Sequence, residues 1–128
     1  MKWLLTLFLT SLFISTLATA QQFTGPGVFS IEGFSASQLV WQGLDDQYPL
    51  VLCELGVTPN RLALHNGYLY VVHSGSPADG TGAAVWRLQV EELVDDPVPV
   101  WQVLELPPSS NPWDIAFSGQ DPQLAFVT

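Results

Sequence analysis

The chain has 128 residues, 48% of them hydrophobic and 12% charged, with a formal net charge of −9. That balance excludes an acidic disordered tail, which carries more charge and fewer aromatic residues. Only three Lys and Arg stand against 12 Asp and Glu, which excludes a nucleic-acid partner, because phosphates are neutralised by basic side chains.

Residues 1–20 predict a secretory signal peptide, drawn as a helix and removed by cleavage before Gln21. Lys2 precedes the apolar run Trp3 to Ile14, and Ala18-Thr19-Ala20 supplies the small-x-small ending that signal peptidase accepts. The expected location is secreted: extracellular, cell-surface or periplasmic. Once Lys2 leaves, Arg61 and Arg87 are the only basic residues against 12 acidic ones. Such a surface repels anionic lipid, so no membrane partner is expected after cleavage.

The segment Phe23 to Phe34 reads as a strand, either of a first sheet or of one that pairs with the C-terminal part of the protein. Gln38 to Gln42 and Pro49 to Leu55 read as two further strands. Cys53, the single cysteine, lies in the second of them and forms neither a disulfide framework nor a Cys-based metal site; it reads as a small buried apolar residue. Arg61 to Leu64 is a short strand, His65-Asn66-Gly67 a tight turn, and Tyr68 to His73 the return strand, because Asn-Gly supports positive φ and the aromatic and β-branched run suits a sheet. Glycine and proline make Ser74 to Ala83 a loop. Ala84 to Val90 alternates, with Trp86, Leu88 and Val90 on one face and Arg87 and Gln89 on the other. An acidic connection, Glu91 to Pro97, leads to a fourth strand, Val98 to Leu106, whose Pro99 suits a sheet edge. Pro107 to Pro112 opens the next unit.

Self-comparison yields four matches in the same order. Leu44 to Pro49 resembles Val94 to Pro99, Glu54-Leu55 matches Glu105-Leu106, Pro59 to Leu64 matches Pro112 to Phe117, and Tyr68 to Val72 matches Leu124 to Thr128. The spacing is roughly 50 residues and grows along the chain, as small loop insertions would make it. Four consecutive antiparallel strands per unit describe a propeller blade. The expected fold class is therefore all-β: a partial β-propeller over residues 21–128, about two blades of four-stranded antiparallel sheet, preceded by the signal-peptide helix. It divides into outer strands of one blade, one full blade at about 60–106, and the start of the next. Two blades do not close a ring of 4–8, so the chain is expected to be the N-terminal part of a longer protein.

The run Leu69-Tyr70-Val71-Val72-His73-Ser74-Gly75-Ser76 resembles the LYVVNSGS signature of YVTN-type β-propeller repeats. Asn111-Pro112-Trp113-Asp114-Ile115-Ala116-Phe117 resembles the GPWGIAV innermost strand of that family, and Ala125-Phe126-Val127-Thr128 its AYVT. The resemblance covers about Pro59 to Thr128. It implies a propeller of the kind found in secreted and surface-layer proteins of bacteria and archaea. His73 stands where the family has Asn, and the loop Ser74 to Ala83 is longer than usual.

Strand order places the loops Gly56 to Asn60, Ser74 to Ala83 and Pro107 to Asn111 at one end of the sheets. Asn60, His73, Ser74, Asp79, Asn111 and Asp114 are the candidate ligand-binding residues there. Asp45, Asp46, Glu91, Glu92, Asp95, Asp96 and Asp121 gather at the opposite end as a solvated acidic rim. His65 and His73 lie at opposite ends of one hairpin and share no metal ion. Asp79-Gly80-Thr81-Gly82 offers oxygens to Ca²⁺ but lacks the alternating acids of a dedicated site, so no cofactor and no metal site are predicted. Trp41, Trp86, Trp101 and Trp113 read chiefly as packing residues, with sugar stacking by one of them as the alternative. No nucleophile elbow, dinucleotide or phosphate loop is present, and no catalytic residues are assigned. The favoured function is a secreted binding or scaffold module for a protein, glycan or small molecule. The alternative is a propeller enzyme, a lactonase or other hydrolase or a quinoprotein-type oxidoreductase subunit, with its site assembled from several blades.

Overall fold

The computed structural model describes residues 26–33, 37–94, 100–121 and 124–128. The expected signal peptide, the cleavage site, Pro99 and the Asp95-Asp96 pair lie outside them. The described residues are all-β, with antiparallel sheets and a single 3-10 turn at Val90–Val94. The first sheet contains β1 (Gly27–Glu32), β2 (Gln38–Gly43) and β3 (Leu50–Glu54), in that order. The second contains β4 (Pro59–His65), β5 (Tyr68–His73), β6 (Ala84–Gln89) and β7 (Gln102–Glu105), also in chain order. The third is the hairpin β8 (Ile115–Phe117) and β9 (Ala125–Val127).

Local chemistry sets these elements. The β4–β5 hairpin turns at Asn66 and Gly67, whose φ values of 49° and 78° are the left-handed pair that a two-residue turn needs. Pairing then runs from His65 opposite Tyr68 to Pro59 opposite His73, so the two histidines sit at opposite ends of the hairpin. Of the two readings for the N-terminal strand, the structure takes the first: β1 pairs antiparallel with β2 over its whole length. The fourth strand of the second sheet is shorter than expected. Pairing with β6 starts at Arg87 opposite Gln102, and Trp101, just before it, turns to meet Trp86 at 5.9 Å between ring centroids. The acidic connection likewise opens as a 3-10 turn, because Val90 and Leu93 pack into the core.

The second sheet buries both of its faces. Toward the first sheet, Leu69 and Leu88 meet Leu39 and Cys53, with Phe29 and Leu62 packed around them. Toward the third, Val72 and Val85 meet Ile115, flanked by Ala63, Tyr70 and Phe117. Each Leu buried in this way contributes about 1.5–3 kcal/mol. The two faces follow from the period-two alternation of β5 and β6. Leu69 points one way and Tyr70 the other; Leu88 opposes Arg87 in the same fashion. The outer members are less covered: every residue of β7 and β9 is exposed.

Candidate functional site

Three connections meet at one end of the second sheet. Residues 55–58 join β3 to β4, residues 74–83 join β5 to β6, and residues 106–114 join β7 to β8. The Ser74 N–H donates to Thr58 O at 3.0 Å, and the Ser109 N–H donates to Gly80 O at 3.4 Å. The middle loop is folded tightly on itself: Gly80 N–H bonds Ser76 O, and Ser76 N–H bonds Thr81 O, both at 2.7 Å. A side chain at Gly75 would strike the carbonyls of Gly80 and Thr81, and one at Gly80 would strike the backbone of Ser109. Both glycines also have positive φ, so the loop conformation depends on them.

Between these loops lies a cavity of about 460 Å³ lined by residues that include Thr58, Ser74, Asp79, Ser109, Asn111 and Trp113. Thr58, Ser109 and Asn111 adopt φ of 49°, 63° and 46°. Left-handed backbone is costly for non-glycine residues, most of all for a β-branched Thr. Asn66, the fourth such residue described, is accounted for by its hairpin turn. The other three all line the same cavity, and strain of this kind concentrates at functional sites.

The six sequence candidates separate into two groups. Ser74, Asp79 and Asn111 line the cavity. Asp79 is locked by Thr81, whose N–H and hydroxyl both donate to Oδ1, at 3.0 and 2.8 Å. These bonds, the backbone one first, hold the Asp79 carboxyl below its ordinary pKa and keep it ionised. Asn60 acts from behind, its Nδ2 donating to Pro112 O at 3.2 Å, directly before Trp113. The structure does not bring His73 or Asp114 to the cavity. His73 is fully buried, its ring 4.5 Å from that of Trp86. Its Nε2 accepts a bond from Gly56 N–H. Asp114 instead pairs with Arg61, Nε to Oδ1 at 3.1 Å.

Sequence reasoning placed Trp113 with the packing residues, but it is 62% exposed and lines the cavity. Its backbone N–H is tied to Thr128 O at 2.6 Å. No local signal marks this exposure, since the alternation rule applies only inside strands. The other described tryptophans do pack: Trp41 lies 4.8 Å from Phe29, and Trp86 bridges His73 and Trp101. His65, read from the sequence as part of the tight turn, stacks on Phe117 at 4.1 Å with the rings nearly parallel.

A second cavity, about 420 Å³, lies between the second and third sheets and is lined mainly by apolar residues such as Val85, Ile115 and Val127. Its most polar groups, Arg87 and Gln102, are joined by one bond, Nε to Oε1 at 2.7 Å. It therefore offers fewer free polar groups to orient a ligand than the loop cavity does. Cys53 is a free, buried thiol whose pKa is raised by that burial, as befits a core residue rather than a nucleophile. Among the described residues no three His, Cys, Asp or Glu side chains converge as a metal site. No family model, characterised protein or solved structure matches the chain.

Proposed function

We propose that the chain is part of a secreted β-propeller module that binds its ligand in the loop cavity. The observation that carries this reading is the convergence of three left-handed, non-glycine residues, Thr58, Ser109 and Asn111, on one polar cavity. The propeller half of the proposal is supported by recurring backbone bonds. Leu55 N–H bonds Ser37 O just before β2, and Leu106 N–H bonds Ala83 O just before β6. Leu44 N–H bonds Pro26 O just before β1, and Val90 N–H bonds Gly67 O just before β5. These equivalences align β1, β2 and β3 with β5, β6 and β7, the last three strands of a blade. They agree with the offsets between Glu54-Leu55 and Glu105-Leu106. The burial of both faces of the second sheet is also what a blade between two neighbours requires. The apolar, small-x-small start supports secretion, and the YVTN-like run around Tyr70 supports the repeat type.

Binding without catalysis is favoured because, among the described residues, no His lines the cavity and its one carboxylate, Asp79, is already engaged by Thr81 and Ser76. The test is a ligand-observed fragment screen by NMR on the full chain, repeated with Gly80→Ala. The added methyl would sit 2.3 Å from Ser109 N and force the two loops apart. Hits whose binding is lost in Gly80→Ala, while the variant stays folded, support the reading. Hits indifferent to that substitution overturn it.

A further inference from the structure

Resting on that reading, we infer that the loop cavity takes a neutral sugar, with the Trp113 indole as its stacking platform. The composition of the cavity wall selects this class. No Lys or Arg lines it, so phosphate, sulfate and carboxylate ligands find no counter-charge, and the ionised Asp79 repels them. One carboxylate is too few for a divalent cation, which takes several oxygen ligands. A quaternary ammonium group is held by a cage of aromatic faces, and a proline-rich peptide by an aromatic-lined groove. Among the described residues, Trp113 is the sole aromatic ring in this wall.

A sugar has the complementary pattern. One face of its ring carries axial C–H groups and seats on a single exposed indole. Its edge carries vicinal hydroxyls, each both donor and acceptor. Around Trp113 the wall offers the Ser109 hydroxyl, the Asn111 amide and the Asp79 carboxylate. Among the described residues, the Ser109 and Asn111 side chains make no hydrogen bond of their own. The Thr81 bonds fall on Asp79 Oδ1 and the Ser76 side chain also bonds the carboxylate, so Asp79 is held in place as an ionised acceptor for a sugar hydroxyl. An amide such as Asn111 both donates and accepts, so it reads a hydroxyl in either role. The left-handed backbone at Ser109 and Asn111 sets the direction in which both side chains leave the chain before the ligand arrives, which lowers part of the ordering cost of binding.

The test titrates the full chain with neutral cello-, manno-, xylo- and chito-oligosaccharides. Sulfated and uronic-acid oligosaccharides and a proline-rich peptide serve as controls. Calorimetry and tryptophan fluorescence are the readouts. The expected result is binding of a neutral oligosaccharide with a change in indole emission. Affinity should fall at least tenfold in Trp113→Ala, less in Trp113→Phe, and measurably in Asn111→Ala. Trp113 is exposed and Asn111 makes no side-chain bond, so these variants keep their fold, with a lower melting temperature in Asn111→Ala because Ala adopts the left-handed backbone of position 111 less readily than Asn; thermal melting verifies this. Neutral sugar binding that is unchanged in Trp113→Ala overturns the proposal. So does binding of only the anionic sugars or only the peptide; if that binding is lost in Gly80→Ala, the loop cavity remains a binding site and only the sugar assignment fails. Absence of binding by every probe, together with a fragment screen indifferent to Gly80→Ala, overturns both.

Discussion

His73 Nε2 accepts a hydrogen bond from the Gly56 backbone N–H at 3.2 Å, tying the end of β5 to the segment that carries the chain from the first sheet into the second. An imidazole that accepts at Nε2 carries its proton at Nδ1. That Nδ1 is buried without a hydrogen-bond partner of good geometry. Burial pushes the His73 pKa down to about 4, and the Val71 carbonyl pulls weakly the other way. The bond from Gly56 and the missing partner both favour the neutral ring.

The sign of the pH dependence follows. The unfolded chain takes up a proton at His73 near the ordinary value of 6.5, whereas the folded chain waits until about 4. Between those values the unfolded state binds more protons, so stability falls as pH falls. The loss is absent above pH 6.5, develops from there toward pH 4, and reaches roughly 3 kcal/mol. Urea unfolding at pH 7.5 and pH 4.5 would read it directly. His73→Gln offers an uncharged acceptor to Gly56 and should remove most of the slope. A slope unchanged in that variant would show that other groups cause it.

Gly56 itself has no room for a side chain. A Cβ there would lie 2.8 Å from Trp86 Cζ2 and 3.2 Å from His73 Cδ2. Gly56→Ala should therefore cost about 1–3 kcal/mol by overpacking. Trp86→Phe removes the atoms in the way. The double variant Gly56→Ala/Trp86→Phe should be more stable than the sum of the two single losses, a coupling that a double-mutant cycle measures. Strict additivity would place the strain elsewhere.

The parts of the fold that follow from neighbouring residues were readable in advance. Asn66-Gly67 announced its hairpin, and the alternation of Ala84 to Val90 separated Leu88 from Arg87. Counting strands brought the loops at Thr58, Ser74 and Ser109 to one end. What depended on distant partners was not readable. His65 stacks on Phe117 and Asn60 bonds Pro112 O, contacts between segments far apart in sequence that no local pattern encodes. The positive φ of Thr58 contradicts its own β-branched preference, so only the packed loops reveal it. Asp114 was a candidate because it lies at the loop end of the sheets, but its carboxylate turns to Arg61, a partner 53 positions away that no local pattern encodes.

Asp114 and Arg61 form an ion pair at 3.1 Å, with both side chains more than half exposed. Solvent screens such a pair, and it contributes about 0–1 kcal/mol. Asp114→Asn should melt within a few degrees of the parent protein. It should also leave ligand binding in the loop cavity unchanged, since Asp114 does not line it. A tenfold loss of affinity in Asp114→Asn would return this residue to the site.

Asn60 is a positioning residue for the loop that presents Trp113. Its Nδ2 donates to Pro112 O across 52 positions of sequence. Pro112 has no N–H of its own, so this carbonyl bond and the Trp113 N–H bond to Thr128 O hold the segment from either side. Asn60→Ala removes one of them and should cost about 0.5–1.5 kcal/mol of stability. Asn60→Asp keeps the shape but supplies no donor, so it should lose as much or more. A purely structural role would stop at that loss. Positioning predicts more: the Trp113 indole should become freer, with a steeper acrylamide quenching slope that vanishes in a Trp113→Phe background. Affinity for a cavity ligand should fall in parallel even at temperatures where the variant is fully folded. Quenching and affinity that stay at parent values in folded Asn60→Ala would show that the Thr128 bond alone sets the indole.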